Sequence, residues 1–138
     1  MISSFSIAKA LLDNAQTIAT ANNYTLIPCG TEYTPDPNAT YIEEFPLFGD
    51  DTAIGLADES SDIQFGVYQL NINTPKDQAG SKWAARIIEG VFKEGFKRGT
   101  ELTHNGQMLR TRNSKAVPMD STDTHDVHVL SISYSVIN

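Results

Sequence analysis

The stretch from Gln64 to Met108 constrains this chain most, because it sets out a strand, a glycine-bearing turn, an amphipathic helix and a hairpin in unbroken succession. Over Gln64–Asn73, Tyr68, Leu70 and Ile72 alternate with Gln69, Asn71 and Asn73. A period of two with one polar side predicts an antiparallel strand whose second face meets water. Phe65 and Val67 fall on that second face, so its first half is expected to be covered by another element or a partner. The turn Thr74–Gly80 leads into a helix over Ser81–Phe96, in which Ala84, Ile87, Ile88, Val91 and Phe92 form the predicted buried stripe, flanked by Trp83. Glu89 precedes Lys93 by one helical turn, an order that stabilises by about 0.3–0.5 kcal/mol. Gly90 costs the helix about 1 kcal/mol relative to alanine, which close approach to a sheet would compensate. Asn105-Gly106, between Thr100–His104 and Gln107–Arg112, is the strongest short-range hairpin signal.

The flanking regions supply the remaining elements. Residues 3–21 predict a helix capped by Ser3, Ser4 or Ser6, with Ala8, Leu11, Leu12, Ala15, Ile18 and Ala19 at helical spacing and a stop at Asn22-Asn23. Tyr24–Ile27 is a short strand ended by Pro28 and Gly30, and Tyr41–Phe45 is another, with Pro46 marking an edge or an end. Long loops are expected at 31–40, 47–62 and 113–125. Asp126–Ile137 is the last strand, with Leu130, Ile132, Tyr134 and Val136 towards the core and Ser131, Ser133 and Ser135 wet or in an interface. Together these predict a single α+β domain over 1–138: an antiparallel sheet of about four to six strands with two helices on one face, in the order α-β-β-β-α-β-β-β.

Charge narrows the range of partners. The net charge of −7 disfavours non-specific or direct sequence-specific binding to nucleic acid, and attachment to anionic membranes. No apolar run approaches the roughly 20 residues of a membrane span, and Lys9 and Asp13 argue against a signal peptide. The lone Cys29 excludes an internal disulfide, fits a reducing compartment and reads as a small residue of a half-buried strand. The charge is unevenly distributed. Residues 1–75 hold ten acids and only Lys9, whereas 76–138 hold nine basic residues and seven acids, giving −9 and +2. Ordinary surface solvation accounts for such a split, and so does an acidic patch that meets a basic patch on a neighbouring subunit.

Catalytic equipment is sparse. His125 and His128 point to opposite faces if they lie on a strand, so they do not share a metal and read as loop-edge histidines. Glu43-Glu44 and Asp50-Asp51 are adjacent pairs, not carboxylates facing each other across a cleft. No nucleophile elbow, phosphate-binding loop or dinucleotide fingerprint is present, and Gln78-Ala79-Gly80-Ser81 offers one glycine where a phosphate loop needs several. The expectation is a non-enzyme without cofactor or metal.

The segment Gly66-Val67-Tyr68-Gln69-Leu70-Asn71-Ile72-Asn73, the glycine-bearing loop, Trp83-Ala84-Ala85-Arg86-Ile87-Ile88-Glu89-Gly90-Val91-Phe92, and the hairpin from Gly99-Thr100 to Asn105-Gly106 resemble the tail terminator proteins of long-tailed bacteriophages. The N-terminal helix and Tyr41-Ile42-Glu43-Glu44-Phe45-Pro46 fit the same layout. This resemblance implies a small α+β subunit that forms a ring, typically a hexamer, on the tail tube, ends tube polymerisation and joins head-completion or neck proteins. It also implies a place in the virion at the head-tail junction, with assembly in the host cytoplasm, and it brings no catalytic residues. A ring closed by head-to-tail contacts needs two different complementary patches on each subunit. Asp50, Asp51, Asp58, Glu59 and Asp62 on one side and Lys93, Lys97, Arg98, Arg110 and Arg112 on the other are the candidates. The alternatives are another neck or head-completion protein, a small metal-dependent hydrolase and a small-molecule binding module.

Overall fold

A computed structural model of the chain describes residues 4–53, 62–76, 80–119 and 121–137. Helix α1 (Ser4–Ala21) is followed by strands β1 (Leu26–Ile27), β2 (Tyr41–Ala53) and β3 (Asp62–Pro75). Helix α2 (Ser81–Gly95) comes next, then β4 (Glu101–His104), β5 (Gln107–Met119) and β6 (His125–Ile137). The six strands form one sheet in the order β1-β2-β3-β6-β5-β4. The sheet is mixed, which corrects the expectation of a purely antiparallel one: β1 runs parallel to β2, pairing Leu26 with Ile42, while every other pairing is antiparallel. A two-residue turn would force β1 and β2 antiparallel, but the 31–40 segment is long enough to carry the chain back and re-enter in the same direction. The order across the sheet also departs from a meander, because β6 lies between β3 and β5.

Two of the expected loops are shorter than their composition suggests. Residues 47–53 continue β2 and residue 62 opens β3, so only 54–61 of the expected 47–62 loop lie outside the described residues. Likewise residues 113–119 continue β5. In both places a partner strand overrides weak local propensity: Leu47 pairs with Val67 and Asp51 with Gln64, while Lys115 pairs with Ser131 and Val117 with Val129. The irregular composition is absorbed by register shifts at Phe48/Asp51 and Thr111/Ser114. At the second, Ser133 Oγ accepts from the Asn113 N–H (2.9 Å) and donates to its carbonyl (3.1 Å), satisfying backbone that a bulge leaves unpaired. Pro46 sits inside β2, but β1 reaches only to Glu43, so this part of β2 is the sheet edge that tolerates a missing N–H.

The core lies between one sheet face and the helices. Ile42, Tyr68, Leu70, Ile72, Leu109, Leu130, Ile132, Tyr134 and Val136 meet Ile7, Leu11, Ala15 and Ala19 of α1 and Ala85, Ile88 and Phe92 of α2. The helices are rotated from the expected stripes. Ala8 and Leu12 are half-buried while Ile7 and Ala10 are buried, and Ile87 is 66% exposed. Phe96, just past α2, explains the turn: the series Ala85, Ile88, Phe92, Phe96 buries two aromatic rings, which stack near Tyr24 and Tyr68. Each buried phenyl is worth about 1.5–3 kcal/mol, enough to decide which face points inward. The helix is therefore seated by Phe92 and Phe96. Gly90 points into open space, so it does not mark a close approach; Gly95 does, since a Cβ there would lie 2.2 Å from Ile18 Cδ1. Asn14 Nδ2 donates to the Gly95 carbonyl (3.0 Å) across that helix–helix contact.

Candidate assembly surface

The ionisable residues most suggestive of chemistry are tied into the fold. His125 is buried and not at an exposed loop edge: Nε2–H donates to the Ala39 carbonyl (2.8 Å), so Nδ1 is left to accept from the Thr124 hydroxyl (2.8 Å). Its ring meets Tyr41 edge-on at 5.0 Å, and Tyr41 meets Tyr33 at 5.2 Å. This cluster fastens residues 31–40 over one end of the second sheet face, where Asn73 is also buried. His128 points to the helix side and binds Glu89, which also takes Lys93 (2.9 Å). Burial alone would raise the Glu89 carboxyl, but the hydrogen bonds and positive charges of His128 and Lys93 outweigh it and lower it. Among the described residues no group of three or more His, Cys, Asp or Glu side chains is arranged to hold a metal. Cys29 lies in an exposed turn after β1 and not in a half-buried strand.

Glu44 is the exception to surface solvation. Its side of β2 is the core side, and its Oε1 accepts from the Cys29 N–H (3.2 Å). Glu44 Oε2 and the Tyr68 hydroxyl are both buried without a well-formed hydrogen bond, although they are close enough for the Glu44 charge to add to the burial that raises Tyr68. Burial holds the Glu44 carboxyl above its ordinary value. A raised folded-state value means that the folded protein holds this proton more tightly than the unfolded chain. The stability it contributes is complete below the ordinary value of 4.5 and is lost as pH rises through the raised one. Glu44→Gln should therefore be more stable than the parent at neutral pH and should flatten this part of the pH–stability curve. Urea unfolding across a pH series reads this, and a variant less stable than the parent at pH 7 would refute it.

The outward surface of α2 has a different character. Trp83 is 72% exposed and Ile87 66%, one helical turn apart, with exposed Gly90 beyond them. Lys82 and Arg86 form a parallel stripe alongside, and neither makes an ion pair among the described residues. An apolar centre flanked by unpaired positive charge is how contact surfaces are built. Lys82 and Arg86 were missed by sequence reasoning, although their spacing of four beside Trp83 and Ile87 was the available signal.

The basic residues expected on one side of the contact each touch a neighbour within the subunit. Lys93 binds Glu89, Lys97 reaches Glu94 (3.8 Å), Arg98 donates to Asn113 Oδ1 (3.2 Å), Arg110 binds Glu101, and Arg112 lies over the Phe65 ring at 5.5 Å. Arg112 and Phe65 border an open groove with Leu47, Val67 and Ser133 at the other end of the sheet, where Leu47 and Phe65 are half exposed. Of the acidic set, Asp50 and Asp51 lie on β2 and Asp62 opens β3, while Asp58 and Glu59 lie outside the described residues.

The result is a small mixed-sheet α+β subunit whose histidines are engaged internally and whose second helix turns a stripe of apolar and basic side chains outward. The chain belongs to the phage tail terminator family, whose model, described as phage tail terminator protein, matches residues 6–134. It is thus a structural component of a phage tail. A solved structure whose title gives only a sequence identifier superposes with a TM-score of 0.78 at 18% identity, covering 99% of this chain and 96% of that one, and so shares the fold. No curated protein matches the sequence. Among the described residues no helix is long and apolar enough to cross a membrane.

Proposed function

We propose that this protein caps the head-proximal end of the tail tube as a ring of identical subunits, a hexamer by analogy with the family. The ring ends tube polymerisation and presents the surface that joins the tail to a head-completion or neck protein. Its role is structural and non-catalytic, its partners are itself, the tube protein and the neck, and it assembles in the host cytoplasm. The family match over residues 6–134 carries the reading. The exposed Trp83–Ile87 stripe and the division of charge into −9 and +2 support it, since ring closure requires two unlike patches.

Particles made without this protein should carry tubes of uncontrolled length and lack joined heads under the electron microscope. A label on the protein should map to the head-proximal end. Normal tails in its absence, or a label elsewhere, would sink the reading; a label on the portal side would indicate a neck component instead. Reversing Arg110 and Arg112 to glutamate tests whether the acidic and basic halves pair across subunits, because rings that form unchanged would remove those two residues from the contact.

A further inference from the structure

A cavity of about 260 Å³ lies where the start of α2 meets the ends of β3, β5 and β6, walled by Thr74, Lys82, Arg86, Ser121 and His128 among others. Three features point to an anionic occupant. First, Gly80 precedes α2 as its N-cap, the first turn of the helix holds no acid, and among the described residues no side chain caps its leading N–H groups. Second, that turn carries Lys82, a cation at the positive end of the helix dipole, with Arg86 one turn on. Third, Thr74 is fully buried, lines the cavity, and its Oγ1 has no hydrogen-bond partner among the described residues. Asp126 also lines the cavity and accepts from Ser121 Oγ (2.8 Å), and among the described lining residues Lys82 and Arg86 outnumber it. These residues contravene ordinary capping and satisfaction rules at one place, which is where function is sought.

We propose that this cavity receives a carboxylate from a second copy of the chain, supplied by the acidic hairpin of β2 and β3. Asp50 and Asp51 lie on β2 and Asp62 opens β3; Asp51 pairs with Gln64, and Ala53 pairs with Asp62. No basic residue occurs between Lys9 and Lys76, so this end of the hairpin has no counter-charge on its own strands. Donor and acceptor lie at opposite ends of β3: from Asp62 to Thr74 is about 40 Å at the usual rise of about 3.3 Å per residue. One subunit therefore cannot fill its own cavity along the strand, but the next can, which makes the contact head-to-tail. The apolar Trp83–Ile87 stripe beside Lys82 and Arg86 would be covered in the same step. The inference rests on the ring proposed above and names its contact.

Charge reversal with mixing tests it on the full chain. One variant carries Lys82→Glu with Arg86→Glu, the other Asp50→Lys, Asp51→Lys and Asp62→Lys. Wild type should self-associate by sedimentation in low salt, and each variant alone should associate at least roughly tenfold more weakly. An equal mixture should recover, because each variant's hairpin then faces a cavity of opposite charge. Thr74→Val should weaken association while leaving the monomer as stable or more stable, a combination that a merely structural threonine would not produce. The proposal is overturned if wild type stays monomeric up to about 1 mM, if either variant associates as wild type does, or if the mixture does not recover. Amide shifts at Thr74 and Lys82 on adding inorganic phosphate, without self-association, would assign the cavity to a free anion and overturn it as well. Imaging of depleted particles is independent of these outcomes, so failure of the tail-end role and failure of this contact are separable.

Discussion

Phe92→Ala should destabilise the protein by about 3–5 kcal/mol, the range for emptying a buried phenyl site. Trp83→Ala, on the same helix, should change stability by no more than about 0.5 kcal/mol. By size alone the larger tryptophan would be the costlier loss. The ranking is reversed because Phe92 is fully buried beside Tyr24, whereas Trp83 is 72% exposed. Removing Phe92 leaves a void between α2 and the sheet that neighbouring side chains only partly fill, and removing Trp83 leaves water where water already was. Equilibrium urea unfolding of both variants measures the contrast. A Trp83→Ala loss comparable to that of Phe92→Ala would mean that α2 is seated on its other face. With the fold intact, the Trp83 variant becomes a clean probe of assembly.

The second large effect falls on Gly66. A Cβ built there would lie 2.5 Å from Tyr134 Cζ and 2.6 Å from the Leu47 carbonyl oxygen. Gly66 and Tyr134 are directly paired across β3 and β6, and the tyrosine hydroxyl reaches past the glycine to donate to that same carbonyl (3.2 Å). One obstacle is a ring held by its own hydrogen bond and the other is backbone, so neither yields cheaply. Gly66→Ala should cost about 1–3 kcal/mol through overpacking. Burial raises the Tyr134 hydroxyl to about 12, so it remains a donor throughout the neutral range. Adding Tyr134→Leu should recover part of the loss, because the ring clash disappears while the carbonyl clash remains. Strictly additive costs in a double-mutant cycle would show that the two residues do not meet.

How much was legible in the sequence depended on whether the deciding interaction was local. The alternation of Tyr68, Leu70 and Ile72, and of Leu130, Ile132, Tyr134 and Val136, gave the core face of β3 and β6 directly, since each of those side chains is buried. Asn105-Gly106 gave its hairpin for the same reason, and both residues take the positive φ that such a turn demands. Strand ends were not legible: 47–53 and 113–119 look like loop, and only pairing with β3 and β6 makes them strand. The short strand β1 was legible, but its parallel direction was not, because nothing local records which way a chain returns from an irregular segment.

The candidate surface was only partly legible, for a related reason. Charge counting identified the acidic first half but could not show which cations were already committed, as Lys93 and Arg110 are to Glu89 and Glu101. Ile87 and Trp83 read as core or near-core because their spacing suits a buried stripe equally well, and Phe96, at the very end of the predicted helix, decides the rotation. Glu44 reads as one of an adjacent pair of acids with no facing partner, although the strand period places it on the core side with Ile42.

The position of β6 has a consequence for how the subunit comes into being. Its residues are the last of the sheet to leave the ribosome, yet they pair with β3 on one side and β5 on the other. Until His125–Ile137 emerges, both neighbours present an unpaired edge, and the middle of the sheet exists only as distant halves of the chain. Such non-local closure slows folding and exposes sticky edges during synthesis. A nascent subunit also lacks the wall that β6 gives to the cavity at α2 until translation has passed the final strand.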